Sequence, residues 1–172
     1  MNNIVWRNIG RFLLLVLLQL LVLNNVYLGG HIMPMLYVLF ILMLPTGMRR
    51  IPLLLTAFGT GLVMDTMNNV LGFHTLACTV MAMGRILFAD RIITRGEPVV
   101  VNTPSIYSVT PQYFVAYLML MLTVFYLLFY IAELAGSRGL GDMLLATVLS
   151  TLATTILAIL YQIIFLKKKE NT

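Results

Sequence analysis

Asp65 ends the apolar run Ile51 to Met64, a place where ionised residues are otherwise absent. A carboxylate at the depth of an apolar span costs about 3 kcal/mol unless it is solvated or paired. Ala57, Gly61 and Asp65 recur every four residues, so a helix puts them on one side, with Thr56, Gly59 and Thr60 adjacent. Small residues on that side let a neighbouring helix come close. Two readings of Asp65 stay open. It is a buried carboxylate at a helix junction or on an ion or substrate path, or it is a cap at the water interface with Asn68 and Asn69 beside it. His74 follows Gly72 and Phe73 and starts the next helix close to Asp65. An Asp and a His together can relay protons, and a neutral His at an interface is the plainer reading.

The remaining polar residues admit less chemistry. Glu133 and Asp142 flank a loop, and Asp142, after Gly141, is placed to cap the next helix and face its dipole. Arg85 sits a turn or so from the end of its span and can extend its head group to water. Thr147, Ser150, Thr151, Thr154, Thr155 and Ala158 form a single helical stripe, which reads as packing between helices. The twelve methionines are scattered. Copper handling would need them paired along a pore, whereas a flexible thioether commonly fills gaps. One cysteine, Cys78, excludes an internal disulfide, and two histidines are too few for a Cys/His zinc cage. Intramembrane hydrolysis needs a nucleophile with a base, two carboxylates, or a metal. No such set is legible, so neither an enzyme nor a cofactor or metal is expected.

The elements that must position these residues follow from composition. The chain has 172 residues, 60% apolar and 10% charged, with a mean hydropathy of +0.97. A soluble domain is about 25% charged, and a disordered chain is less apolar still, so both classes are excluded. A spanning helix needs about 20 apolar residues. The charge-free runs are Phe12 to Met48, Ile51 to Met64, Thr66 to Gly84, Pro98 to Ala132 and Met143 to Leu166, and Asn24, Asn25, Gly29 and Gly30 divide the first. The sequence therefore predicts an all-α, polytopic membrane protein, a six-helix transmembrane bundle in one domain. Its spans fall at about 12–28, 32–48, 51–65, 72–93, 112–134 and 142–166. Pro98, Pro104 and Pro111 forbid a continuous helix between spans four and five. The basic start of span one lacks a small-residue cleavage site, and it reads as an uncleaved span.

Six spans put both termini and two loops on one side, with Arg7, Arg11, Arg49, Arg50, Arg85, Arg91, Arg95, Lys167, Lys168 and Lys169, against Arg138 alone on the other. Short cytoplasmic loops carry the Lys/Arg excess, which places both termini inside. The net charge of +5 and the pI of about 9.6 then express topology and attraction to anionic membrane lipid. No nucleic-acid partner is expected, because no basic stripe is interleaved with aromatics.

The run Asn24-Asn25-Val26-Tyr27-Leu28-Gly29-Gly30, then Pro34, Tyr37 to Leu42 and Leu44-Pro45, resembles the first hairpin of the MreD family of rod shape-determining membrane proteins in its Bacteroidetes form. Gly61 to Asp65 followed by Leu71-Gly72-Phe73-His74 looks like that family's G-x-x-x-D and L-G-x-H elements, and Gly141-Asp142 with Ser150-Thr151-Leu152 like its last helix. The resemblance covers nearly the whole chain through loose motifs. It implies a non-enzymatic inner-membrane scaffold of the cell-wall elongation machinery, beside MreC, the MreB filament, and RodA with its class B penicillin-binding protein. Close relatives often carry adjacent histidines where this chain has Phe125 and Tyr126, which puts a proton-linked role of span five in doubt. The family also resembles the six-helix substrate-binding subunits (S-components) of energy-coupling-factor vitamin transporters, which supply the alternative function. Those subunits dock through a small-residue A-x-x-x-A pattern in helix one, and Phe12 to Leu23 contains neither alanine nor glycine.

Overall fold

Helix formation in this chain follows the apolar runs, and among the described residues asparagine, glycine and proline mark several of the breaks between helices. The computed structural model describes residues 2–25, 32–70, 72–93, 104–133 and 139–166, and its elements are all helical. They are α1 (Asn2–Leu21), followed by a 3-10 turn (Leu23–Asn25), α2 (Val38–Leu42), α3 (Arg50–Asn68), α4 (Phe73–Ile93), α5 (Pro111–Glu133) and α6 (Leu140–Phe165). Asn69 closes α3 in the left-handed region at φ 54°, and Gly72 turns the chain into α4 at φ 78°, a value that favours glycine. Gly29, Gly30, Arg95, Arg138 and Lys167, Lys168 and Lys169, used above for turns and orientation, lie outside the described residues.

Three helices are long and apolar enough to cross a membrane: Trp6–Asn25, Pro111–Glu133 and Leu140–Phe165, with mean hydropathies of 1.6, 2.3 and 2.2. Their exposed faces are hydrocarbon. Leu13, Leu17 and Leu21 line the outside of α1, and Leu145, Val148, Leu152, Ile156 and Ile163 line that of α6. The interior holds the polar side chains, including Gln19, Asp65, His74, Arg85, Ser150, Thr154 and Gln162. Water would reverse this arrangement, whereas lipid favours it. The chain is a membrane protein of all-helical build.

Two boundaries differ from the sequence reading in an instructive way. Span one, placed at 12–28 because Arg7 and Arg11 precede it, belongs to a helix that begins at Asn2. Charge marks the edge of the hydrocarbon, not the end of helical hydrogen bonding, and Arg11 is buried against Tyr161 of α6. The larger correction is span two. The 17-residue helix expected over 32–48 is only the five residues of α2, flanked by irregular chain between Pro34 and Pro45. Met35 to Leu44 is nevertheless buried throughout, so this segment threads the middle of the bundle with neighbours on every side. Irregular backbone is tolerated at such depth only where protein groups satisfy its N–H and C=O. They do. Leu36 N–H donates to Gln19 Oε1 at 2.7 Å, Gln19 Nε2 donates to Pro34 O at 3.0 Å, and Met33 N–H donates to Ser150 Oγ at 3.1 Å.

Arg85 closes the other end of the segment, which corrects its expected extension to water. Its side chain is 2% exposed and turns inward, donating to Ile41 O at 2.6 Å, to Leu44 O, and to Pro45 O at 3.3 Å. The carbonyls at and just after the end of a helix lack a full set of partners within it, and here they are Ile41 at the end of α2 and Leu44 and Pro45 beyond it. A guanidinium carries five donors and suits the negative end of the helix, so one side chain satisfies several carbonyls together.

Candidate functional site

The α3/α4 junction is set by its smallest residue. Ala57 and Gly61 are buried where α3 meets α4, and a Cβ placed on Gly61 would lie 2.4 Å from Thr75 Cα and 2.7 Å from Thr75 N. That contact is backbone against backbone, so the first turn of α4 rests directly on Gly61. One turn further along α3, Asp65 therefore meets the unsatisfied N–H groups of that turn. Its Oδ1 accepts from His74 N–H at 2.9 Å, and its Oδ2 accepts from Thr75 N–H at 2.9 Å and from the Thr75 hydroxyl at 2.5 Å. Asp65, 3% exposed, thus caps a helix other than its own. The two readings of the sequence merge here, because the carboxylate is both buried at a junction and a cap. Gly72 stands just before α4, and its carbonyl accepts from Leu76 N–H at 2.9 Å.

His74 shares the cap through its backbone, but its ring faces elsewhere. Nδ1 lies 2.7 Å from Tyr37 Oη, and the ring packs on Phe129 with centroids 4.8 Å apart. The structure brings the Asp65 carboxylate to the His74 backbone and gives the imidazole to the buried chain segment before α2. Tyr37 entered the sequence reading only within the run that carries the resemblance and with no bonding role, though its place between Pro34 and Pro45 was a signal.

A second hydroxyl knot lies beside it. Met35 N–H donates to Tyr126 Oη at 2.8 Å, Tyr126 Oη donates to Met33 O at 2.8 Å, and the Thr154 hydroxyl lies 2.5 Å from Tyr126 Oη. Tyr130 Oη and Ser150 Oγ are 2.9 Å apart. The threonine and serine stripe of α6 therefore does more than pack, since Ser150 and Thr154 hold the irregular chain at Pro34. Replacing Tyr126 with phenylalanine removes the nearer of the two acceptors of the buried Met35 N–H, leaving Thr154 Oγ1 at 3.2 Å, and the donor to the half-exposed Met33 carbonyl. The expected cost is about 1 kcal/mol, read as a lower melting temperature in detergent and faster amide exchange at Met35, with Leu120→Ala, on the exposed face of the same helix, leaving that exchange unchanged.

Beside both knots the bundle holds a partly open cavity of about 590 Å³, lined by Gln19, Asn24, Asn68, Tyr37, His74 and Glu133 among others. Its polar wall is a relay of amides. Asn68 Nδ2 donates to Met64 O at 2.8 Å, Asn24 Nδ2 to Asn68 Oδ1 at 2.8 Å, and Gln19 Nε2 to Asn24 Oδ1 at 3.0 Å. These bonds tie α1 to α3 across a span of 44 residues in sequence. Gln19 was overlooked in the sequence, although it is the only polar side chain between Phe12 and Leu23. Glu133 lies at the rim, its Oε2 without a partner among the described residues. Asp142 is not among the residues that line the cavity. It lies in the first turn of α6, exposed, while Gly139 is the N-cap and no side chain caps the helix. The expected cap is therefore only a favourable charge at the dipole, because α6 begins two residues before Asp142.

Among the described residues no three His, Cys, Asp or Glu side chains gather at one point, and Cys78 is buried. Compared with protein-family models, with curated proteins and with solved structures, the chain matches none of them.

Proposed function

We propose that this chain is a non-enzymatic scaffold of the bacterial cell-wall elongation complex, a multi-pass protein of the inner membrane with both termini in the cytoplasm. It crosses six times, through α1, the buried segment around α2, and α3 to α6. In this role it regulates cell shape by contact with MreC and, with it, MreB, RodA and the class B penicillin-binding protein. One observation carries the reading: the polar residues on which the resemblance to the MreD family rests bond chiefly to other parts of the bundle. Asn24 holds Asn68, Asp65 caps α4, His74 meets Tyr37, and Ser150 meets Met33. A catalyst would leave such groups free for substrate, whereas a scaffold uses them to fix the shape it presents. The basic residues of α1 and α3 and the apolar exterior accord with the proposed orientation in the membrane.

The cavity of about 590 Å³ favours the alternative, a substrate-binding subunit of an energy-coupling-factor vitamin transporter, since pockets of 300 to 1,000 Å³ suit small ligands. Against it stands the outer face of α1, where Ile9, Leu13, Leu17 and Leu21 offer no small-residue path for close docking. Depletion separates the two. The scaffold predicts round or swollen cells and loss of MreC from the wall-synthesis assembly at unchanged vitamin uptake. Depleted cells that keep their shape but lose uptake of one vitamin would establish the transporter instead.

A further inference from the structure

The far end of the bundle from Asp65 holds a second recess that the scaffold reading does not use. It is an open recess of about 420 Å³ between the start of α1 and the end of α6, lined by Arg7, Gly10, Arg11, Leu14, Tyr161 and Phe165 among others. Arg7 and Arg11 are one helical turn apart on the same face, a repulsive spacing for like charges. Arg11 is 9% exposed and lies against the Tyr161 hydroxyl, and neither arginine forms an ion pair among the described residues.

Two like charges one turn apart beside a recess make it attractive to an anion. The walls state what kind. Leu14 and Phe165 are hydrocarbon, and they continue into the exposed apolar faces of α1 and α6 at Leu13, Leu17 and Ile164. Trp6, 71% exposed, stands at the same level as the arginines, the usual depth of an interfacial aromatic. A free anion would find charge here but no use for the hydrocarbon. An anionic glycerophospholipid satisfies both, its phosphate on the planar guanidinium groups and an acyl chain along the groove.

We infer that the groove between α1 and α6 is a binding site for one anionic phospholipid, its phosphate held by Arg7 and Arg11. This does not depend on the scaffold reading and holds whichever partner the bundle serves. The site acts as a fixed clasp that joins α1 to α6 through lipid.

Trp6 is the only tryptophan in the chain and neighbours Arg7, so the protein carries its own probe. The full chain is reconstituted in phosphatidylcholine, and brominated phosphatidylglycerol or brominated phosphatidylcholine is added while Trp6 fluorescence is followed. Brominated phosphatidylglycerol is expected to quench at a mole fraction on the order of tenfold lower than brominated phosphatidylcholine, given the attraction of each basic residue near a membrane surface. The double variant Arg7→Gln with Arg11→Gln should bring the two lipids to within about twofold, and Arg49→Gln with Arg50→Gln should keep the preference. Gly10→Leu gives an independent arm, because a Cβ there meets nothing within 4 Å and the side chain fills the groove without changing charge. It too should abolish the preference. Equal quenching by both lipids in the native chain, or a preference that survives Gly10→Leu, would reduce the effect to overall charge and overturn the site. Displacement of brominated phosphatidylglycerol by inorganic phosphate would assign the recess to a soluble anion and overturn it equally.

Discussion

Gly61→Ala is expected to lower the stability of the bundle by about 2 to 3 kcal/mol, and Gly61→Leu to prevent its assembly. The alanine series isolates the cause. In a helix interior Gly→Ala is favourable by about 1 kcal/mol from backbone entropy, so any net loss must come from contact. At Gly61 the added carbon would sit 2.4 Å from Thr75 Cα and 2.8 Å from His74 O, and backbone cannot swing aside as a flexible side chain can. α3 and α4 must separate, which also pulls the Asp65 carboxylate from the N–H groups of His74 and Thr75. Gly59, two residues away on the same helix, has nothing within 4 Å of its Cβ direction. Gly59→Ala should therefore be neutral or slightly stabilising. Melting temperatures of the two variants in one detergent make the comparison, and equal values would show that the α3/α4 contact is loose enough to absorb a methyl group.

The contrast between these glycines also marks what was legible in the sequence. The period of four through Ala57, Gly61 and Asp65 placed all three on one face, because helical geometry alone determines that. Which helix covers that face is a tertiary fact, and it decided that Gly61 is critical and Gly59 is not. Span two was misjudged for a related reason. Hydropathy reports how apolar a segment is, and the segment from Met35 to Leu44 is equally apolar whether a helix faces lipid or an irregular chain is enclosed by protein. Pro34 and Pro45 were the available sign, since each limits helix on its N-terminal side. The partners that make irregular chain affordable there, Gln19, Tyr126, Thr154 and Arg85, come from four different helices. Such convergence cannot be read from spacing within any one of them. Arg85 shows the same limit, because proximity to a span end suggested extension to water while the carbonyls of Ile41, Leu44 and Pro45 lay within its reach.

Asp65→Leu is expected to cost about 2 to 5 kcal/mol and to abolish rescue of a depleted strain, with Asp65→Asn intermediate. Leucine removes the acceptor of two buried backbone N–H groups and of the Thr75 hydroxyl. Each buried donor left unsatisfied costs about 1 to 3 kcal/mol, and loss of a helix cap alone costs about 0.5 to 2 kcal/mol. Asparagine keeps one carbonyl oxygen for His74 N–H. Its amide nitrogen, however, would bring a donor against the Thr75 N–H, so part of the cap is lost. Thr75→Val, which removes only the hydroxyl bond, sets the lower end of the series at about 1 kcal/mol. The order Leu, Asn, Val in falling severity is the signature of a cap. A proton-carrying carboxylate gives a different order, because asparagine cannot titrate and would be as inactive as leucine while the protein remained folded. Melting temperature and, on the proposed function, shape rescue at equal membrane abundance are therefore read together. If Asp65→Asn folds like the native chain yet fails to rescue, the carboxylate has a role in proton movement that capping does not supply. If stability and rescue fall in step through the series, Asp65 acts by holding the first turn of α4 on Gly61.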